Sequence, residues 1–538
     1  MTTEISGDSV LLKPERLRAA ARSEGGVSRR LVMAYGAALA SIPLRGLRVD
    51  AQPAPSFRNN PFSLGVASGD PAATSVVLWT RLAPEPLEPF GGMPPGAVRV
   101  RWEVAGDDQM RQVVASGTQL ATPQLGHSVH VEVEGLEPDR WYWYRFRVGD
   151  ADSPIGRTRT FPRPHAQPEQ LRFAFTSCQN YEQGYYTAYR QMAEDNPDLV
   201  IHLGDYIYEY AGRDDRVRKH MGGETHTLED YRQRISQYRA DPLLHGMHAL
   251  CPWLVTWDDH EVDNNYADLI SEEPDVDPLD FMIRRASAYQ AYYEMMPLRA
   301  RSLPRGHQMQ LYRRVPFGRL AEFLVLDTRQ YRSDQPNDDR RSPLNEAATN
   351  PSNTMLGEDQ RDWLYRSLLR SRGQWNVLAQ QVMMGLVDRG SRDDAPGYSM
   401  DQWPGYAAER AQIFRFIRER RVPNPVVLTG DIHSNWVNDL RVDDRQPETD
   451  VVGTEFVCTS LSSGGDGTAR PSGLERVLSI NPGVKHHDAL RGYVRCTVDR
   501  KQWRSDYMAV DRVTVPDGEV YLHKSFVVEN GQPGAQAV

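Results

Sequence analysis

Several common devices are missing from this chain. It has only four cysteines, Cys178, Cys251, Cys458 and Cys496, far apart and with no CxxC pair. That excludes a dense disulfide framework and leaves each thiol to be judged by its surroundings. Cys251, Cys458 and Cys496 read as structural, with a bridge between two of them after export left open. No run of about 20 apolar residues exists, so a mature membrane-spanning helix is not expected. There is no basic surplus: the formal net charge is −9, which argues against a general nucleic-acid-binding surface. Internal repeats and low-complexity tracts are absent too. What remains is an ordinary globular composition spread over 538 residues, enough for two or three domains.

The N-terminus has a different character. "SRRLVMAYGAALASIPL" places Arg29 and Arg30 before a short, mildly apolar segment, and "VDA" at 49–51 offers a small-residue exit. Residues 1–51 therefore read as an export signal and leader, and the paired arginines favour the twin-arginine route. The expected location is periplasmic, cell-surface or secreted. That route carries folded proteins, which suits a metal loaded before export. The other reading is a disordered basic leader.

Residues 51–60 are rich in Pro, Ala and Asn and read as a linker. From 60 to 162 the pattern is all β: "TSVVLWTRL", "VRVRWEVAG", "SVHVEVEGL" and "RWYWYRFRV" alternate in short runs. "GLEPDRWYWYRFRV" reads as a sandwich strand entered through a tyrosine corner, in a domain of roughly 100 residues. Beyond it, from 170 to 510, apolar strands alternate with helix-like segments and predict a layered α/β domain. Residues 511–538 read as a C-terminal tail.

Four of the predicted strands end in polar clusters. "LRFAFTSCQN" ends in Cys178, "DLVIHLGD" in Asp205 with Tyr208 beyond it, "WLVTWDDHE" in Asp258, Asp259 and His260, and "PVVLTGDIHSN" in Asp431 and His433. In layered α/β sheets, ligands sit at the carboxyl ends of strands. Thiolate, carboxylate, phenolate and imidazole are the ligand types of transition-metal sites. Phenolate and thiolate on one metal point to ferric iron, and a carboxylate such as Asp205 can bridge two metals. Taken singly, Cys178 and Tyr208 could be packing residues, His433 a satisfied core histidine, and the acidic run a solvated turn. Four such clusters at strand ends of one domain weaken those readings together.

These residues carry a resemblance. "GDYIY" is a GDxxY motif, "DDHE" stands where binuclear metallophosphoesterases have GNH[DE], and "GDIH" where they have GHxH. Cys178 takes the place of the usual first aspartate, Asp259 that of the asparagine and Asp431 that of a histidine. "VLAQQ" has glutamine in place of a VxxH histidine. With "LDTRQYR" added, the ordered motifs resemble the PhoD alkaline phosphatase family and the phospholipase D enzymes related to it. The resemblance implies a metallophosphoesterase-type β-sandwich flanked by helices, preceded by a small all-β domain of fibronectin or immunoglobulin type. It also implies Fe³⁺ and Ca²⁺ as cofactors. Cys178, Asp205, Tyr208 and His433 are carried over as iron ligands, and Asp205, Asp259 and Asp431 as calcium ligands. Asp258, Asn264, Gln380 and Gln381 are weaker candidates.

The expected chemistry is in-line displacement at phosphorus by a metal-bound oxide or hydroxide, with the metals neutralising phosphate oxygens. His260 is the candidate acid/base or orienting group, or else a hydrogen bonder behind a ligand. Arg329 could hold a phosphate oxygen through its planar fork, or pair structurally with a carboxylate. The leading reading is a secreted phosphatase or phosphodiesterase acting on phosphate esters. A phospholipase D on lipid headgroups, which alone would require membrane contact, is one alternative. A non-catalytic calcium-binding module is another, although Cys178 and Tyr208 argue against it. A redox iron protein suits the fixed ferric ligands less well.

Overall fold

A computed structural model describes residues 56–390 and 396–538. The leader lies outside the described residues. Two sheets pack face to face at the centre. Strands Gln170–Thr176, Leu199–His202 and Pro252–Val255 lie parallel and side by side in a ten-stranded sheet. Strands Ala321–Val325, Trp375–Ala379, Pro425–Thr429 and Gly453–Val457 run parallel in a seven-stranded one. Apart from Gln170 and Arg172 in the first of them, their residues are buried, as near-continuous apolar runs covered on both faces should be.

Strand periodicity explains the layering. Phe173, Phe175, Leu199, Ile201 and Leu254 point inward and meet Phe323, Val377, Val426, Leu428 and Phe456 of the other sheet. Their neighbours Ala174, Val200, Trp253 and Val255 point outward onto the helices Ala188–Glu194, Leu228–Arg239, Pro242–Leu250 and Pro278–Met295. The helices Gly357–Arg370 and Ala407–Arg420 cover the seven-stranded sheet through Leu324, Leu378 and Val427. The result is a helix–sheet–sheet–helix stack, the expected sandwich flanked by helices.

One helix fixes the site. Leu228–Arg239 starts at a capping box, with Asp230 N–H donating to Thr227 Oγ1 and Thr227 N–H to Asp230 Oδ2. So oriented, its buried face sends Arg234 to the carbonyls of Tyr208 and Tyr210 and places Tyr238 Oη to accept from Tyr208 N–H at 3.1 Å. The loop after Leu199–His202 is thus held by a helix rather than left free.

The N-terminal part is all β. Strands Val98–Ala105, Val113–Ala121 and Trp141–Val148 form one layer, and Val76, Leu78, Val100, Val104, Tyr144 and Phe146 fill its core. Strand Trp141–Val148 buries every second residue. Tyr142 Oη accepts from Glu137 N–H at 2.9 Å, the tyrosine corner expected from the sequence.

Two boundaries differ from expectation. The second N-terminal layer, Val66–Gly69, Ser75–Arg81 and Ser128–Glu134, is not a separate sheet. It continues the ten-stranded sheet, Ser68 and Gly69 pairing in parallel with Pro252 and Trp253. Gly69 is required there, since a Cβ would stand 2.5 Å from the Pro297 carbonyl oxygen. Residues 511–538 are not a loose tail either: Val520–Glu529 and Gln532–Ala537 form the far edge of the same sheet. Half of that hairpin is exposed, so its polar pattern hides the strand.

Candidate active site and metal centre

The four polar clusters converge at the carboxyl ends of the central strands. Backbone bonds stitch the loops together: Cys178 N–H donates to Gly204 O at 3.1 Å, Gln179 N–H to Asp205 O at 3.0 Å, and Gly430 N–H to Gln381 O at 2.8 Å. Gly204 has φ +106°, and a Cβ on it would lie 2.5 Å from Asp258 N and Cβ. Only glycine lets the second and third clusters approach this closely.

Four of the six candidate ligands share an unusual backbone. Cys178, Asp205, Asp431 and His433 all have positive φ, between 52° and 63°. For residues with a Cβ this left-handed conformation costs roughly 1–3 kcal/mol each. It turns each side chain back over the strand ends. Four such residues around one point mark a place where local comfort has been given up for geometry.

The donors form overlapping groups. Cys178, Asp205 and His433 place ligand atoms within 4.8 Å of one another, as do Asp205, Asp259 and His260, and Asp258, Asp259 and Asp431. Tyr208 Oη donates to Asp205 Oδ2 at 3.0 Å, lies 3.0 Å from His433 Nε2 and accepts from Ser463 Oγ at 2.7 Å. Asp205 and Asp259 each belong to two groups, so the site grades from thiol, phenol and imidazole at one end to carboxylates at the other.

The electrostatics are those of a site short of positive charge. Burial, reinforced by the Asp205 charge, pushes the Cys178 thiol and the Tyr208 phenol well above their usual ranges. Burial also raises Asp205 and Asp258 strongly and moves Asp431 up to about 6. His433 is lowered to about 3 by its desolvated surroundings and the Arg491 cation, and stays a neutral nitrogen donor. Asp205 Oδ1 and Asp258 Oδ2 are buried without a hydrogen-bond partner among the described residues. Carboxylates whose anionic form burial disfavours, with lone pairs facing one another, fit multivalent cations that would stabilise them as anions.

Arg329 lies among the acidic clusters. Its guanidinium is fully buried and surrounded by carboxylates: Nε pairs with Asp258, Nη1 lies 2.8 Å from Asp401, and Nη2 lies 3.3 Å from Asp259 and 3.4 Å from Asp431. Arg332 meets the same Asp401 oxygen at 2.6 Å. Gln380 and Gln381 are not brought in as ligands. Gln380 bonds Thr429 and Trp403, and Gln381 bonds Thr328, Thr256 and the Leu326 carbonyl, so their polar atoms serve strand pairing. Asn264 is tied to Glu272 and, through its N–H, to Glu209. Cys251, Cys458 and Cys496 are buried free thiols.

Three carboxylates escaped the sequence reading. Glu261, within "DDHE", accepts from Asp205 N–H at 3.1 Å, Tyr206 N–H at 2.5 Å and Asp258 N–H at 2.8 Å, locking two clusters together. Glu209, within "YIYEY", accepts at 2.7 Å from His260 Nδ1, whose ring lies against Tyr208 at 4.1 Å between centroids. Burial opposes the imidazolium, but Glu209, Asp259 and Asp205 outweigh it and raise His260 well above its usual range. Glu261 stands inside the DDHE motif and Glu209 one residue beyond GDYIY, but what they do depends on folded geometry. Asp401 comes from a loop with no pattern to mark it.

Glu209 is a positioning residue. Glu209→Gln keeps the shape and removes the charge facing His260. The expected result is a fall in kcat of roughly 10–100-fold with little change in KM, checked by steady-state kinetics on a chromogenic phosphate ester.

Fold and site together define a layered α/β protein with a cluster of metal-ligand-type side chains at its strand ends. Residues 173–507 match the family model described as PhoD-like phosphatase, and residues 48–162 match the PhoD-like phosphatase N-terminal domain. The chain belongs to the PhoD-like phosphatase family. It is 50% identical over 490 residues to alkaline phosphatase D of Bacillus subtilis (strain 168), covering 90% of this chain and 84% of that protein. A solved structure described as PhoD superposes with a TM-score of 0.88 at 50% identity, covering 90% of this chain and 93% of the other. The chain is accordingly a phosphatase or phosphodiesterase.

Proposed function

We propose that this enzyme works outside the cytoplasm on phosphate esters, with a ferric ion and calcium in the cluster at the strand ends. One observation carries the proposal: a buried thiol, a buried phenol and a half-buried imidazole meet at a single carboxylate, Asp205, whose Oδ1 has no hydrogen-bond partner among the described residues. Cys178, Asp205, Tyr208 and His433 would hold the iron. Asp205, Asp259 and Asp431 would hold calcium, an oxygen-seeking cation suited to carboxylates. When bound, the metals neutralise charge on the phosphate oxygens and activate water for attack at phosphorus.

The chain's own residues do the rest. Glu261 fixes the backbone that aims Asp205 and Asp258. Glu209 holds the His260 ring so that Nε2 remains free to exchange a proton with water or the leaving oxygen. Arg329 balances the charge of Asp258, Asp259 and Asp431 from behind rather than reaching the substrate. The paired arginines at 29 and 30 support export by the twin-arginine machinery.

The test is hydrolysis of a nitrophenyl monoester, the bis(nitrophenyl) diester and phosphatidylcholine micelles, each with calcium and with a calcium chelator. Calcium-dependent turnover is expected, and the rate ratios rank the substrates. A visible absorption band from iron–phenolate charge transfer should be present in wild type and absent in Tyr208→Phe. Turnover unaffected by chelation, or the band surviving that substitution, would overturn the metal assignment.

A further inference from the structure

We infer that His486, Asp488 and His523 form a second metal site, away from the catalytic cluster, that takes a divalent transition cation of the zinc type. Their ligand atoms lie within 4.8 Å of one another. Asp488 Oδ2 is 2.7 Å from His486 Nε2 and 3.5 Å from His523 Nε2. In a tetrahedral zinc site with bonds of about 2.0 Å, neighbouring donors stand about 3.3 Å apart. Two imidazoles and one carboxylate are a donor set for zinc, cobalt or nickel rather than calcium. His523 keeps 21% of its side chain exposed, so solvent reaches the group and water can complete the coordination.

The placement is built rather than incidental. His486 and Asp488 are two apart on the strand Val484–Asp488 and share a face, whereas His487 between them faces away and stacks on Trp436 at 3.5 Å. Asp488 is buried. Its Oδ1 is held by Asn435 Nδ2 and Leu490 N–H, both at 2.9 Å, which leaves Oδ2 to the histidines. Such outer bonds orient carboxylate ligands at metal sites. His523 comes from the other sheet. In strand Val520–Glu529, Leu522 pairs with Met508 and Lys524 with Tyr507, so His523 is the extra residue of a bulge. Bulges re-aim side chains, and this one brings His523 to Asp488. Burial, opposed by Asp488 and helped by His486 and Lys524, keeps His523 below its usual pKa and available as a neutral donor.

A cation here would clip an edge strand of the seven-stranded sheet to the ten-stranded sheet. Through Asn435 it would also brace the segment that begins two residues after His433. The site is thus distinct from the cluster at the strand ends but adjoins the strand that follows His433.

The experiment is a Co²⁺ titration of the purified holoenzyme, followed by visible absorption and metal analysis after gel filtration. Wild type should take up about one equivalent with tetrahedral cobalt bands and no thiolate charge-transfer band, and Zn²⁺ should displace it. His523→Gln, on the exposed hairpin, should lose that equivalent, as should His486→Gln, while His487→Gln should keep it. Equal uptake by wild type and His523→Gln, or no uptake by wild type, would overturn the proposal. So would bands carrying thiolate charge transfer in every variant, which would place the cobalt at Cys178. If Asp488 only shares a proton with the two imidazoles, wild type takes up no cobalt.

Discussion

Asp205→Asn is expected to lower kcat by about 10³ or more, beyond the roughly 10–100-fold typical of residues behind the ligands, while leaving the metal-free protein at least as stable as wild type. The two effects separate because they come from different properties of the side chain. Asp205 is the donor common to the thiol–imidazole group and the Asp259–His260 group. An amide of the same size keeps an acceptor for Tyr208 but loses the charge and one anionic oxygen. Without a cation that charge is a liability: burial raises the Asp205 pKa well above the usual range, and its Oδ1 has no hydrogen-bond partner among the described residues. Removing it relieves the free protein and disables the loaded one. Kinetics with iron analysis, beside melting in excess chelator, checks both halves. A variant that turns over within tenfold of wild type would rule out Asp205 as the shared ligand.

Arg329→Met should act in the opposite sense on stability. The guanidinium is fully buried among Asp258, Asp259, Asp401 and Asp431. Truncating one partner of such a pair costs about 3–5 kcal/mol, because the other charge remains buried and unpaired. Here four carboxylates lean on Arg329 and only Asp401 has Arg332 as well, so the upper end is expected, a loss of about 5 °C or more in Tm for the chelated protein. Calcium should narrow the gap, since Asp259 and Asp431 are the carboxylates proposed to bind it. Differential scanning calorimetry with calcium and with chelator measures this directly. Equal melting of variant and wild type in chelator would show that Arg329 does not carry the charge balance, and would revive the reading in which it reaches for phosphate.

The site was legible where chemistry and strand pattern coincide. Cys178, Asp205, Asp259, Asp431 and His433 each follow an apolar run, and the chain must turn at those points, so ligand-type residues there stand out. Gln380 and Gln381 meet the same criterion, yet they fail as ligands because neighbouring strands claim their polar atoms. Glu261 was visible as a residue but not as a part, since accepting three backbone N–H groups is a property of a folded loop. Asp401 and Arg332 meet only in three dimensions. The N-terminal strands read correctly as β, but their pairing with Pro252 and Trp253 joins distant segments in parallel, and parallel pairing leaves no turn in the sequence to announce it.

That pairing bears on how this enzyme can be cut and recombined. Strand Pro252–Val255 leads directly into Asp258, Asp259 and His260, and its outer partner is Val66–Gly69. The front domain is therefore not a passenger upstream of a self-sufficient catalyst. It supplies the wall against which the third cluster of ligands is laid. A library that swaps front domains between relatives exchanges the edge of the active-site sheet as well, so crossover points that preserve activity should fall outside the stretch from Val66 to Glu134.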